Sequence, residues 1–184
     1  MKDKLQLEKI KKINLESLSM LILEQEYKNY FLDTPGKEHY NLLGYISTLY
    51  NEATLLDIGT YKGCSALALS FNPRNKIISF DILPELVQLS QTPINIEFRV
   101  ENILDLKNKE LILSSPFIML DTAHDGSFEY EFYNYLIEIG YKGVLLLDDI
   151  HLNEQMQSFW RDIEEEKYDI SSIGHWSGTG LVIF

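Results

Sequence analysis

The sequence of 184 residues contains one cysteine, Cys64, and only 16 basic residues against 28 acidic ones. A single cysteine cannot form a disulfide within the chain, which is typical of proteins from a reducing compartment. The net charge of -12 argues against nucleic acids and anionic membranes as partners, because both attract basic surfaces. The composition instead favours a small neutral or cationic substrate, or a substrate held through a metal ion.

Long hydrophobic runs are also missing. No stretch approaches the roughly 18 consecutive apolar residues of a transmembrane helix. The N-terminal residues are rich in lysine and glutamate and lack the apolar core of a signal peptide, so we expect a cytoplasmic protein. With 45% hydrophobic residues, the chain is long enough for one domain with a substantial core.

The stretch 55–69 predicts a buried strand, a glycine turn and a helix of small residues. Glycines at such a turn let the backbone bend tightly and approach a ligand closely. We take as candidate cofactor contacts the strand acid and the polar or glycine residues of the turn, namely Asp57, Gly59, Thr60, Gly63 and Ser65. A second apolar strand, 76–81, ends in Asp81. In sheets that bind nucleotide cofactors, an acid at the end of the second strand, about 20 residues after the glycine turn, binds the ribose hydroxyls.

The rest of the chain continues the alternation of strands and helices. Further strands are predicted at 94–100, 117–121, 144–149, 168–173 and 180–184, and helices at 3–30, 84–91 and 153–166. The short link 174–179 predicts that the last two strands are antiparallel neighbours. These patterns predict an α/β fold with a mostly parallel, Rossmann-like sheet and helices on both faces. Residues 1–50 would form a helical extension or lid and 51–184 the cofactor-binding domain, with a homodimer through the N-terminal helix.

Acidic residues end four of these strands, and parallel strands place their carboxyl ends at one edge of a sheet. Asp121 ends the fourth strand, and the pair Asp148 and Asp149 ends the fifth. Three carboxylates at that edge would repel one another unless a cation lay among them. Because oxygen ligands suit hard cations, the expected ion is Mg²⁺, with Mn²⁺ or Ca²⁺ as alternatives.

Three motifs carry a resemblance to a known family: Asp57-x-Gly59-x-x-x-Gly63, Leu120-Asp121-x-x-His124 and Leu147-Asp148-Asp149. Over residues 35–184 the chain resembles the class I, S-adenosylmethionine (SAM)-dependent methyltransferases. Within that family it resembles the metal-dependent small-molecule O-methyltransferases, especially the macrocin and cephalosporin-hydroxylase-like branch. The resemblance implies a seven-stranded sheet of order 3-2-1-4-5-7-6.

The resemblance also implies roles for individual residues. The first-strand motif and Asp121 would contact SAM, Asp81 its ribose and Asn102 its adenine, while Asp121, Asp148 and Asp149 would hold the metal ion. His124 would take the proton from a substrate hydroxyl, since an imidazole titrates near neutral pH. His151 follows the acidic pair directly and is a second candidate base, as is His175 in the terminal hairpin.

The predicted function is therefore SAM-dependent, metal-assisted O-methylation of a small hydroxylated molecule such as a sugar or secondary metabolite. Two alternatives remain from the sequence alone. One is a protein that keeps the SAM-binding fold as a scaffold without catalysis. The other is an NAD-dependent oxidoreductase, although the glycine turn does not match the GxGxxG pattern of such enzymes.

Overall fold

A computed structural model describes residues 1–83 and 89–184 and contains one seven-stranded sheet. Its order, β3-β2-β1-β4-β5-β7-β6, confirms the sequence-based prediction. The strands are β1 (Thr54–Ile58), β2 (Lys76–Asp81), β3 (Ile96–Val100), β4 (Phe117–Leu120), β5 (Val144–Asp148), β6 (Glu166–Asp169) and β7 (Thr179–Ile183). β1 to β5 pair in parallel, whereas β7 runs antiparallel to β5 and β6.

Helices cover both faces of this sheet. They are α1 (Leu7–Ile10), α2 (Glu16–Ser19), α3 (Gln25–Leu32), α4 (Lys37–Thr48), α5 (Cys64–Leu69), α6 (Lys109–Ser114), α7 (Ser127–Ile139) and α8 (Glu154–Asp162). None of the helices in the described ranges is long and apolar enough to span a membrane.

The core has two layers because successive strand residues point to opposite faces of the sheet. In β4, Phe117 and Met119 are buried in the layer under α4 and α5, while Ile118 and Leu120 are buried in the layer under α7 and α8. The central strands are covered on both faces, which explains their nearly uninterrupted apolar sequences.

The prediction of one helix over residues 3–30 is wrong. The structure has short helical segments there instead, followed by α3. Buried side chains at Ile10, Leu15, Ile22 and Phe31 are separated by intervals that a straight helix cannot place on one face. These side chains pack in the same core layer as α4, so the segment wraps over its own chain. The homodimer through this segment and the boundary between extension and domain stay predictions.

Several predicted boundaries also shift. β3 begins at Ile96, and β6 ends at Asp169 because the chain then turns into a short 3₁₀ helix, Ser171–Ile173. α8 begins at Glu154, with Asn153 as its N-cap through a hydrogen bond from the Met156 amide. The predicted helix 84–91 lies mostly outside the described residues.

One tight contact positions the turn after β1 against the end of β4. Gly59 has a φ of +99°, and a Cβ atom built on it would lie 1.6 Å from the carbonyl oxygen of Asp121. An alanine there would therefore meet both an unfavourable backbone conformation and a backbone clash.

We expect Gly59→Ala to lower the free energy of unfolding by more than ~3 kcal/mol, or to prevent folding. Gly140→Ala is the matched control, because Gly140 also has positive φ but a Cβ atom added to it would have no neighbour within 4 Å. Gly140→Ala should lower the free energy of unfolding by about 1–2 kcal/mol, through the unfavourable backbone conformation alone. Urea denaturation measures both values, and equal losses would show that the close approach to β4 does not matter.

Candidate active site

A cavity of about 490 Å³ lies beyond the carboxyl ends of β1, β2 and β4. It is lined mainly by apolar side chains, with polar groups at its two ends. The lining includes Gly59, Phe80, Asp81, Asn102, Asp121, His124 and Phe128. The cavity therefore connects the predicted ribose-binding acid with the acid that ends β4.

The turn between β1 and α5 forms one wall. Gly63, in the left-handed conformation, is the N-cap residue of α5, and no side chain of the described residues caps this helix. The Thr60 hydroxyl instead lies 2.6 Å from that of Ser79. Ser65 is buried in the first turn of α5.

Asp57 lies beneath this turn and is fully buried. Its Oδ2 atom accepts a hydrogen bond of 2.6 Å from Ser79, while its Oδ1 atom has no partner among the described residues. Burial raises the pKa of Asp57 to about 7, although the hydroxyl groups of Ser79 and Ser65 oppose this rise. The carboxyl is thus shared between charged and neutral forms at neutral pH.

Asp81 and Asn102 stand at the opposite end of the cavity. The two oxygens of Asp81 accept hydrogen bonds from the backbone amides of Tyr61, at 3.0 Å, and Leu83, at 2.9 Å. Asn102 accepts a bond from the Leu104 amide, which fixes the loop after β3. A carboxylate oxygen can accept further hydrogen bonds, so Asp81 stays available to hydroxyl groups of a ligand.

The loop after β4 brings His124 against Asp121. His124 Nε2 lies 3.1 Å from Asp121 Oδ1 and 3.6 Å from Asp149 Oδ2. His124 has a φ of +55°, a conformation that is unfavourable for a side-chain-bearing residue. The buried Glu129 of α7 holds the loop in this shape by accepting bonds from the Thr122 hydroxyl, at 2.7 Å, and the His124 amide, at 3.0 Å.

Both acids at the end of β5 approach His175. Asp148 is buried, and its Oδ1 atom lies 3.6 Å from His39 Nδ1 and 3.5 Å from His175 Nδ1. Asp149 has a φ of +59°; its Oδ1 atom lies 3.3 Å from His175 Nδ1 and accepts a hydrogen bond from Ser177. His175 Nδ1 thus lies between the two carboxylates, with His39 on the side of Asp148.

The structure brings the predicted metal ligands Asp121, Asp148 and Asp149 to one edge of the sheet, with His124 between Asp121 and Asp149. Their role as ligands stays a prediction. Within the described part of the chain, the group whose donor atoms lie mutually within 4.8 Å is His39, Asp148 and His175. His39, on α4, is missing from the predicted site residues.

The predicted second base, His151, lies apart from this cluster. Its Nε2 atom is 2.7 Å from Asp169 Oδ2, and Asp169 is its ion-pair partner among the described residues. Adjacency to the acidic pair in sequence does not bring its imidazole to the same site, because the chain turns at Asp149.

Without a bound cation, His124 and His175 carry positive charge at neutral pH. Burial would lower the pKa of His124, but the carboxylates of Asp121, 3.1 Å away, and Asp149 raise it to about 9. Burial likewise opposes the rise for His175, whose pKa reaches about 10 beside Asp148 and Asp149. Burial acts to raise the pKa of Asp149, but the imidazole of His175, 3.3 Å away, and the hydrogen bond from Ser177 lower it below its ordinary value.

In the presence of a chelator, we expect stability to fall as pH rises. A histidine whose folded-state pKa is raised contributes its full stabilisation below the unfolded value of about 6.5 and loses it as pH passes the folded value. The stabilisation by His124 should therefore be lost between about pH 6.5 and 9, and that by His175 between about pH 6.5 and 10. Thermal unfolding should show a decrease of several degrees in Tm, at roughly 2–4 °C per kcal/mol.

The control for this pH dependence is the double variant His124→Gln, His175→Gln. It should have a flatter profile between pH 6.5 and 9.5 than the unmodified protein, because groups elsewhere titrate equally in both. Parallel profiles would contradict the assignment of these two charges.

Comparisons with known proteins support the fold. No protein-family model matches the sequence, and no curated protein is significantly similar to it. Solved structures share the fold over most of both chains, and three of them illustrate this. An O-methyltransferase from Bacillus cereus bound to S-adenosylhomocysteine (SAH) has a TM-score of 0.56 and 13% identity, covering 97% of this chain and 90% of its own.

The other two are equally distant in sequence. The SAH-bound methyltransferase PaMTH1 from Podospora anserina has a TM-score of 0.58 and 14% identity, with 89% of each chain covered. A Staphylococcus aureus protein described as a caffeoyl-CoA O-methyltransferase has a TM-score of 0.59 and 11% identity, covering 97% of this chain and 92% of its own. The chain therefore has the Rossmann-like fold of the SAM-dependent O-methyltransferases.

Proposed function

We propose that this protein is a SAM-dependent methyltransferase that methylates a hydroxyl oxygen of a small molecule with the help of a divalent cation. The observation that carries the proposal is the continuous cavity between Asp81 at one end and the pair Asp121 and His124 at the other. An acid suited to binding ribose and a histidine suited to accepting a proton thus line the same cavity, on a fold that SAH-bound methyltransferases share. Because fold alone does not fix activity, the site residues must carry the argument.

The described residues fit SAM. Gly59 and Gly63 keep the turn after β1 close to the cavity, and the carboxylate of Asp81 can accept hydrogen bonds from two ribose hydroxyls. Asn102 and the apolar residues Phe80 and Ile103 line the part of the cavity that suits an adenine ring. The Oδ1 atom of Asp57, which has no partner among the described residues, adds a buried acceptor beneath the turn.

The residues at the β4 end suit deprotonation of a hydroxyl. When bound, SAM supplies the methyl group and the cation lowers the pKa of the acceptor hydroxyl. A bound cation would offset the carboxylates that raise the pKa of His124, so that its Nε2 atom could take the proton. Asp121, 3.1 Å away, orients the imidazole and stabilises its charged form. Glu129 holds the loop that carries His124, so the imidazole keeps its place during the transfer.

The surroundings favour a small polar acceptor. The protein carries a net charge of -12, and carboxylates crowd this edge of the sheet, so an anionic polymer would be repelled. Trp176 is 72% exposed, with its ring 5.7 Å from that of His175, and offers a surface for a sugar or aromatic ring. A sugar or secondary metabolite with neighbouring hydroxyl groups matches these features.

Replacing Asp81 with alanine should weaken SAM binding at least ~10-fold, because two hydrogen bonds to a charged acceptor are lost. Isothermal titration calorimetry with SAM measures the effect. The control is Asp169→Ala. Asp169 lies at the far edge of the sheet and, like Asp81, accepts a hydrogen bond from the backbone amide two residues further along the chain. Unchanged affinity in the Asp81 variant would remove the ribose assignment.

Replacing His124 with glutamine should lower kcat by about 10²–10⁴-fold while SAM affinity stays within about two-fold. The assay follows transfer of a labelled methyl group to a panel of vicinal diols and catechols, with and without a chelator. A variant that keeps full turnover would place the base elsewhere. Absence of transfer from the unmodified protein to every acceptor, despite SAM binding, would favour the scaffold alternative.

A further inference from the structure

Three side chains from separate elements meet at the end of β5. His39 comes from α4, Asp148 ends β5, and His175 comes from the loop before β7. Asp148 Oδ1 lies 3.6 Å from His39 Nδ1 and 3.5 Å from His175 Nδ1. Both distances exceed those of N–H···O hydrogen bonds, about 2.7–3.2 Å, so hydrogen bonding does not explain the convergence.

The spacing matches donors that share one metal ion. Bonds of about 2.1 Å at a tetrahedral angle separate two ligand atoms by roughly 3.4 Å, close to both observed distances. One donor atom from each of the three residues lies within 4.8 Å of the others, so all three can reach a common point with small side-chain adjustments.

Burial supplies a second, independent indication. The side chains of His39 and Asp148 are only 6% and 7% exposed. Their facing atoms, His39 Nδ1 and Asp148 Oδ1, have no hydrogen-bond partner among the described residues. Buried polar atoms without partners are costly and uncommon, and a cation between them would satisfy both.

We infer that His39, Asp148 and His175 bind a divalent transition-metal ion through two imidazole nitrogens and one carboxylate oxygen. Two nitrogen donors favour Mn²⁺, Fe²⁺, Co²⁺ or Zn²⁺ over Mg²⁺ and Ca²⁺, which prefer oxygen ligands. The inference rests on the proposed function, because it names the ligands of the cation invoked there. It is an alternative to the set of three carboxylates predicted from the sequence.

Ser177 and Asp149 lie beside the proposed ligands and would help to orient them. His175 Nδ1 lies 2.7 Å from the Ser177 hydroxyl, which itself donates to Asp149. Binding would require His175 to exchange its bond with Ser177 for the ion, while Ser177 keeps Asp149 in place. Three protein ligands leave coordination positions open, as substrate-binding metal sites require.

The test is metal binding by the full chain after removal of bound metal. Cobalt(II) is the probe, since its visible absorption reports nitrogen ligation, and calorimetry compares Mn²⁺, Zn²⁺ and Mg²⁺. We expect one Co²⁺ per chain, tighter binding of Mn²⁺ and Zn²⁺ than of Mg²⁺, and at least ~100-fold weaker binding in His39→Gln and in His175→Gln. That loss exceeds the 10–100-fold typical of residues that only support a ligand.

Two variants serve as controls. His151→Gln removes a histidine paired with Asp169 and should bind Co²⁺ as the unmodified protein does. Asp121→Asn distinguishes the proposed site from the predicted site of three carboxylates. It should change Co²⁺ affinity by less than about ten-fold if His39, Asp148 and His175 bind the ion. It should abolish Co²⁺ binding if the three carboxylates bind it. Circular dichroism and thermal unfolding show that each variant is folded, and His175→Gln, on a loop, serves if the buried His39 variant does not fold.

The outcomes are distinguishable from a failure of the proposed function. SAM binding without Co²⁺ binding, preference for Mg²⁺, or loss of metal only in Asp121→Asn would overturn the site. Co²⁺ binding that depends on His39 and His175, in a chain that neither binds SAM nor transfers a methyl group, would support the site and reject the methyltransferase proposal alone.

Discussion

Repulsion between carboxylates at one edge of the sheet is the constraint on which the site depends. Parallel strands place their carboxyl ends together, so the acids that end β4 and β5 share a poorly solvated region. Each of these acids has an imidazole nitrogen within 3.6 Å, from His39, His124 or His175. The structure thus offsets acidic charge with histidines from three separate segments.

The loops at this edge adopt backbone conformations that are rare in the rest of the described chain. Of four non-glycine residues with positive φ in the described ranges, Tyr61, His124 and Asp149 lie in the loops after β1, β4 and β5. Such conformations cost about 1–3 kcal/mol each and persist where surrounding contacts enforce them. Around His124 these contacts are bonds from its amide to Glu129 and from the Asn153 amide group to its carbonyl. They aim the imidazole at Asp121.

Much of the fold could be predicted from the sequence, because the features concerned are local or follow from topology. The strand order, the glycine turn at Gly59 and the buried strands are confirmed. The single N-terminal helix is wrong, since its apolar residues are spaced for a segment that bends over α4. His151 shows the limit of sequence adjacency: it follows Asp149 closely, yet its imidazole pairs with Asp169.

By itself, the sequence determined the sheet and which acids reach its carboxyl edge, because hydrophobic patterning and right-handed connections leave few alternatives. Only the tertiary structure decided which atoms face one another. His39 is far from Asp148 along the chain, and packing of α4 alone brings the two side chains together. Side-chain direction at Asp148 and Asp149 depends on a backbone turn that no local pattern specifies, which is why the histidine partners were not predictable.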